Sequence, residues 1–176
     1  MSHVLIICNY FAPDNVIAAV RITKFAKYLM RSGYKVTVIK EKHSNILRDE
    51  ILERDAIGAE VIYAENTLGF KKFHGLYKKI IQPLKDKRMN KLDDRIRINP
   101  RTGYKEFYPY ETAYPVIGSV EYVVEQLRQK NLCHSINKTL KSMDDCDALF
   151  TSYGDSFRLY AGVKFHKYHA NVPGIF

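Results

Sequence analysis

The chain has 176 residues, 46% of them hydrophobic, with 28 Lys and Arg against 19 Asp and Glu and a net charge of +9. That length suits one domain with a sizeable core. Three scattered cysteines without a C-x-x-C pair exclude a disulfide framework and disfavour a structural zinc site. The basic balance points to nucleic acid, an anionic membrane or phosphorylated ligands, or to a merely solvated basic surface, without choosing among them.

The N-terminus, MSHVLIICNYFAPD, lacks a charged leader and a small-residue cleavage site, and no stretch reaches membrane-spanning length. The expected location is cytoplasmic, free or peripheral on the inner face of the cell membrane. With 13 Tyr, 9 Phe and no Trp, an aliphatic core under a tyrosine-rich surface is expected.

Val4 to Cys8 (VLIIC) is a continuous, β-branched apolar run, the pattern of a strand buried on both faces. The loop NYFAPDN follows, with Pro13 and Asp14 as breakers. Val16 to Met30 carries apolar residues at helical spacing, with Val20, Phe25 and Leu29 on one side and Ile22 and Ala26 beside them. Gly33 suits a C-cap, and Lys35 to Lys40 (KVTVIK) reads as a second strand.

Ile46 to Ile57 predicts a short helix started by Ser44 or Asn45 and ended by Gly58, and Ala59 to Ala64 a third strand. Leu68 to Leu92 is basic and helix-compatible, with Pro83 as a kink or break. Asp93 to Gly118 shows no period and reads as an irregular loop lined with Tyr and Phe.

A helix is expected from Ser119, with Val120, Val123, Val124 and Leu127 as its apolar face. Ile136, Leu140 and Met143 continue that face after a break near Asn131. Ala148 to Thr151 reads as a fourth strand, Ser156 to Tyr168 as a helix and NVPGIF as the start of a fifth strand.

This order is the alternation of an α/β fold, a Rossmann-like doubly wound parallel sheet. Ligands of such sheets bind beyond the carboxyl ends of the strands, where strand order reverses. Asn9 to Asn15, Glu41 to Ser44 and Ser152 to Ser156 are therefore expected on one edge.

Phe11 to Arg21 could offer free N–H groups and a partial positive charge to an anion at a helix N-terminus. Ala18 and Ala19 stand where glycine would help a phosphate approach, and G-x-G-x-x-G and the P-loop lysine motif are absent. The plainer reading makes Asp14 or Asn15 an N-cap. In TSYGDSF, Gly154 and Asp155 suit a tight turn and Ser156 an N-cap.

Lys71 to Lys91 combines many basic residues with Phe73, Leu76, Tyr77, Ile80, Ile81 and Leu84 at helical spacing. A basic amphipathic helix suits a membrane surface, through Lys71, Lys72, Lys78, Lys79, Lys85, Lys87 and Arg88. A solvated basic face over a core-facing stripe is the alternative. His3, His43, His74, His134, His166 and His169 show no metal-ligand constellation, so no metal is expected.

The run VLIICNYFAPDNVIAAVRITKFAKYLMRSGYKVTVIK resembles the opening of GT-B glycosyltransferases of the retaining family-four type, with its buried strand, F-x-P loop, helix and V-T-V strand. DCDALFTSYGDSFRLYAGVKFHKYHANVPGIF resembles the later strand-helix-strand of the same N-terminal domain. The resemblance covers both ends of the chain and not the middle.

It implies residues 1–176 as an acceptor-side Rossmann-like domain, incomplete at its C-terminus, with 68–118 as a basic and aromatic insertion. The implied enzyme moves a sugar from a nucleotide-sugar donor to a glycan or lipid-linked acceptor in surface polysaccharide synthesis. Its donor domain, with an E-x7-E motif, would be missing, so the chain alone is expected to be inactive and to hold no cofactor. Carried over, Pro13, Asp14, Asn15 and Ala18 match the cleft loop, and Arg21 could reach an anionic group. Ser152, Tyr153, Gly154, Asp155 and Ser156 match the facing loop.

Many members have glycines near Ala18 and Ala19 and a His after the fourth strand, where this chain has Thr151, Ser152 and Tyr153. No catalytic base is assigned. The alternatives are a nucleic-acid-binding module using the basic 71–91 stretch, disfavoured by the absence of any RNP-type or helix-turn-helix pattern, and a small flavodoxin-like protein.

Overall fold

The apolar run at the N-terminus forms β1, His3–Cys8, and every residue of it is buried. The structure, a computed structural model, describes residues 2–43, 46–89, 96–98, 103, 105–107, 115–152 and 156–175. The chain divides into two units, Met1–Asn66 with Gln129–Phe176, and Thr67–Arg128.

In the first unit β1 is followed by α1 (Ile17–Arg31), β2 (Lys35–Glu41), α2 (Glu50–Asp55) and β3 (Glu60–Ala64). The second unit holds α3 (Leu68–Met89), β4 (Ile96–Ile98) and β5 (Lys105–Phe107), and α4 (Pro115–Ser135) begins there. After Arg128 the chain returns to the first unit with the end of α4, then α5 (Asn137–Lys141), β6 (Ala148–Thr151), α6 (Ser156–Tyr168) and β7 (Gly174–Ile175).

The five strands of the first unit form one sheet in the order β3-β2-β1-β6-β7, and all four pairings are parallel. This is the Rossmann-like, doubly wound sheet. Alternation along β1 explains its two covered faces. Leu5 and Ile7 join Leu132, Ile136, Leu140, Phe157 and Phe165 in one core, while Val4, Ile6 and Cys8 join Ala19, Ala26, Val38 and Leu52 in the other. Phe11, Phe157 and Phe165 are fully buried, so the core is not purely aliphatic.

The buried face of α1 is Ala19, Thr23 and Ala26, while Val20 and Phe25 are exposed. Small side chains let the helix approach the sheet closely, and this displaces the larger stripe outward. The short helix is Glu50–Asp55, not Ile46–Ile57, and Asp49 caps it by accepting from the Ile51 and Leu52 N–H groups at 2.8 and 3.1 Å. Residues 46–49 are held against the first loop, which removes them from the helix. The expected caps Ser44 and Asn45 lie outside the described residues. Gly58 ends the turn after α2 at φ +101°, a backbone region that glycine favours.

In the second unit α3 runs through Pro83 without a break. Part of the segment expected as loop is instead an antiparallel pair, β4 with β5, with Gly103 between them at φ +71°. Helix α4 starts at Pro115 rather than Ser119. Proline suits a first helical turn because the N–H it lacks would have no partner there. On α4 Val124 is buried, but Val120, Val123 and Leu127 are exposed. The helix breaks at Ile136, not near Asn131. No described helix is long and apolar enough to cross a membrane.

Candidate functional site: the crevice between β1 and β6

Strand order reverses at β1, which has β2 on one side and β6 on the other. In sheets of this kind ligands bind at such a point, beyond the carboxyl ends of the strands, here where the loops leave β1 and β6. Ile7 pairs with Thr151 in register, and the Ser152 N–H donates to the Ile7 carbonyl at 3.1 Å. This brings the first loop and the residue after β6 together. Tyr153, Gly154 and Asp155 lie outside the described residues.

The first loop is tied down from several directions. The Ala12 N–H donates to Thr23 Oγ1 at 3.0 Å, and the Asp14 N–H to the Phe11 carbonyl at 3.1 Å. The Asn15 N–H donates to the Leu47 carbonyl at 2.8 Å, the Asp49 N–H to the Pro13 carbonyl at 2.8 Å, and the Val16 N–H to the Asp14 carbonyl at 2.9 Å. Residues 46–49 thus act as a strap across the loop, with Asp14 and Arg48 forming an isolated antiparallel bridge. The donors of Ala12, Asp14, Asn15 and Val16 are spent inside the fold. These bonds brace the loop, and none of them engages the first-turn N–H groups of Ile17 and Ala18.

Neither Asp14 nor Asn15 caps α1. Val16 holds that position and makes no side-chain cap bond. The Asp14 carboxylate instead pairs with Lys40 Nζ at 2.6 Å, and the same ammonium donates to the Phe11 carbonyl at 3.0 Å. Lys40 is 1% exposed. It reaches this position because Val36, Val38 and Lys40 share one face of β2, and its register partners are Cys8 and Tyr63. Its ammonium lies 5.7 Å from the Tyr63 ring centroid.

Of the other residues carried over by the resemblance, Pro13 is half-buried, while Asn15, Ala18 and Arg21 are exposed on the loop and the first turns of α1. Ser152 Oγ accepts from Arg158 Nη1 at 2.6 Å. Ser156 opens α6, but the next N–H, that of Phe157, is satisfied by Gln129 Oε1 at 2.9 Å. Opposite, His43 Nε2 donates to the Asn9 carbonyl at 3.1 Å, and its ring stacks on Tyr10 with centroids 4.7 Å apart. Ile17, Leu47 and Ile51, all well exposed, give the loop an apolar rim.

Lys40, Arg158, Gln129 and Thr23 organise this edge, and sequence reasoning missed all four. Two signals were legible. Lys40 has the in-facing parity of its strand, and Arg158 stands four residues before Gly162 on the buried face of α6. Gln129 and Thr23 carry no such signal, since their partners are distant backbone groups.

Burial pushes the Cys8 thiol up to about 12, against the opposing pull of Lys40 and Arg158. A thiol held protonated cannot act as a nucleophile. Among the described residues no group of three or more His, Cys, Asp or Glu is arranged to hold a metal. The edge is suited to binding through polar groups, aromatic stacking and an apolar rim.

In the second unit, Lys71, Lys72, Lys78 and Lys79 of α3 are exposed, and so are Leu68, Phe73, Leu76 and Ile80. Phe73, Leu76 and Ile80 of the apolar stripe are therefore not spent on a core, while Tyr77 and Ile81 are half-buried. Lys85, Lys87 and Arg88 belong to the end of α3, whose side chains lie outside those described.

No family model and no curated protein matches the chain. Among solved structures, the C-terminal domain of a hydrogenase from Pyrococcus furiosus is similar over 99% of this chain and 89% of that one, with 12% identity and a TM-score of 0.47. TcCGT1, a glycosyltransferase in complex with UDP, is similar over 96% of this chain, with 10% identity and a TM-score of 0.47. The chain spans only 26% of TcCGT1. Both likenesses are distant and fold-level, and neither bears on activity.

Proposed function

We propose that the chain is the acceptor-side, Rossmann-like part of a glycosyltransferase. On this reading it helps move a sugar from a nucleotide-sugar donor to a glycan or lipid-linked acceptor in surface polysaccharide synthesis. One observation carries the reading. The two segments that resemble the family in sequence supply β1 and β6, the strands that flank the switch point and its crevice. The tied-down first loop supports an acceptor role, because four of its N–H donors are engaged within the fold and brace it as one wall for a hydroxyl-rich ligand. Pro13, Asn15, Ala18, Arg21, Ser152 and Ser156 would line that wall, with Asp14 fixing its shape from beneath.

The nucleotide sugar is then held by a second Rossmann-like domain. The exposed lysines and apolar residues of α3 support peripheral attachment to an anionic membrane, where a lipid-linked acceptor would be met.

The test is nuclear magnetic resonance titration with a panel of oligosaccharides ending in glucose, galactose, N-acetylglucosamine or glucuronate, together with a labelled-sugar transfer assay. Amide shifts confined to residues 9–21 and 152–156, without transfer by the chain alone, are expected. Salt-dependent binding to single-stranded RNA with no response to any saccharide would overturn the reading in favour of a nucleic-acid module.

A further inference from the structure

On the outer side of the first unit, α4 and α6 leave between them a cavity of about 620 Å³. That volume lies within the range of small-molecule sites. Cys133, Leu159 and Val163 line it, and Leu159 and Val163 are exposed to 53% and 51% although both are aliphatic. Three cations, Lys130, Lys164 and Lys167, share the lining, and none of them has a carboxylate partner among the described residues. Lys130 Nζ lies 5.8 Å from the Tyr160 ring centroid and so stands over the apolar wall. No carboxylate lines the cavity among the described residues. None of the residues that build the switch-point crevice belongs to it.

We propose that this groove binds a single-chain amphiphile with an anionic headgroup, held one molecule at a time. The apolar wall takes the chain, and the lysines, which have no counter-ion among the described residues, take the head. Length excludes an acidic partner helix. The lining of α4 runs only from Lys130 to His134, about 6 Å along the axis. A docking helix would therefore be gripped on one side for little more than a turn. The lining of α6 runs from Leu159 to Tyr168, about 14 Å, comparable to an extended dodecyl chain.

The probe is dodecyl phosphate below its micelle concentration, titrated calorimetrically into the full chain, with dodecyltrimethylammonium as the control of opposite charge. One-to-one binding of the phosphate that weakens with salt, and no binding of the ammonium, is expected. Val163→Glu places a carboxylate among the lysines at an exposed position and should weaken binding about tenfold or more. Lys164→Glu should do the same and stands in if Val163→Glu unfolds, as judged by circular dichroism. Equal binding of the ammonium amphiphile, or phosphate binding indifferent to both variants, overturns the proposal. So does a concentration-dependent dimer abolished by Val163→Glu, which would make the occupant a second copy. Loss of anionic-vesicle binding in Val163→Glu would make it a bilayer and overturn the proposal as well.

Discussion

Lys40 and Asp14 form an ion pair of 2.6 Å in which neither side chain is more than 9% exposed. The lysine lies at the carboxyl end of β2 and the aspartate in the loop after β1, so the pair fastens the crevice wall to the sheet. Removing one member leaves a buried charge uncompensated. Lys40→Met should destabilise the protein by about 3–5 kcal/mol. The double variant Lys40→Met, Asp14→Leu should recover much of that loss. Urea denaturation measures both, and equal stability of the single and double variants would show that the pair does not act as a unit.

The Gln129 side chain performs the equivalent task for α6, by accepting from the Phe157 N–H at a site where it is 2% exposed. Gln129→Ala strands a buried donor and should cost about 1–3 kcal/mol in chemical denaturation. A change below the error of the measurement would mean that water or another group satisfies Phe157.

All three cysteines are buried, and burial raises the thiol of each, that of Cys8 to about 12. At about pH 8 the native chain should react with a thiol reagent far more slowly than the urea-denatured chain, and Cys8 should react last. Prompt modification of Cys8 in the native chain would contradict its place under Lys40 and Arg158.

Asp55 accepts from both Lys24 and Lys27, and these bonds hold its carboxyl below the usual carboxylate value. A depressed folded value means that the unfolded chain takes up the proton first as pH falls. The contribution is therefore complete above the unfolded value of about 3.9 and is lost as pH drops through the lower folded value. Thermal melts of wild type and Asp55→Asn should differ at neutral pH and converge at low pH. A gap that persists in acid would assign the effect to packing.

The lysines of α3 are the natural test of membrane attachment. Replacing Lys71, Lys72, Lys78 and Lys79 by Gln, one after another, should lower binding to phosphatidylserine vesicles by about fivefold per lysine, the equivalent of ~1 kcal/mol each. Phosphatidylcholine vesicles should not bind. Sedimentation with vesicles reads both, and indifference to all four changes would leave α3 as a merely solvated basic helix.

The sequence by itself determined the frame. VLIIC reads as a strand covered on both faces and is one, ALFT and the Ser156–Tyr168 helix stand as read, and the alternation of elements pointed to a doubly wound parallel sheet. Those features are local, since a period of 2 or 3.6 and a short apolar run are written within one segment.

Tertiary structure decided what each face does. Whether α1 buries Val20 and Phe25 or Ala19, Thr23 and Ala26 depends on how closely a helix can approach a sheet, which no single segment records. Whether Asp14 caps α1 or neutralises Lys40 depends on a residue 26 positions away. The opening strand, loop and helix were legible from the first forty residues. The character of that loop, a strapped wall with four of its N–H donors engaged, came from Thr23, Lys40 and the 46–49 strap. Hydrogen bonds and ion pairs between segments are chosen by the packed chain as a whole, so composition and periodicity cannot announce them.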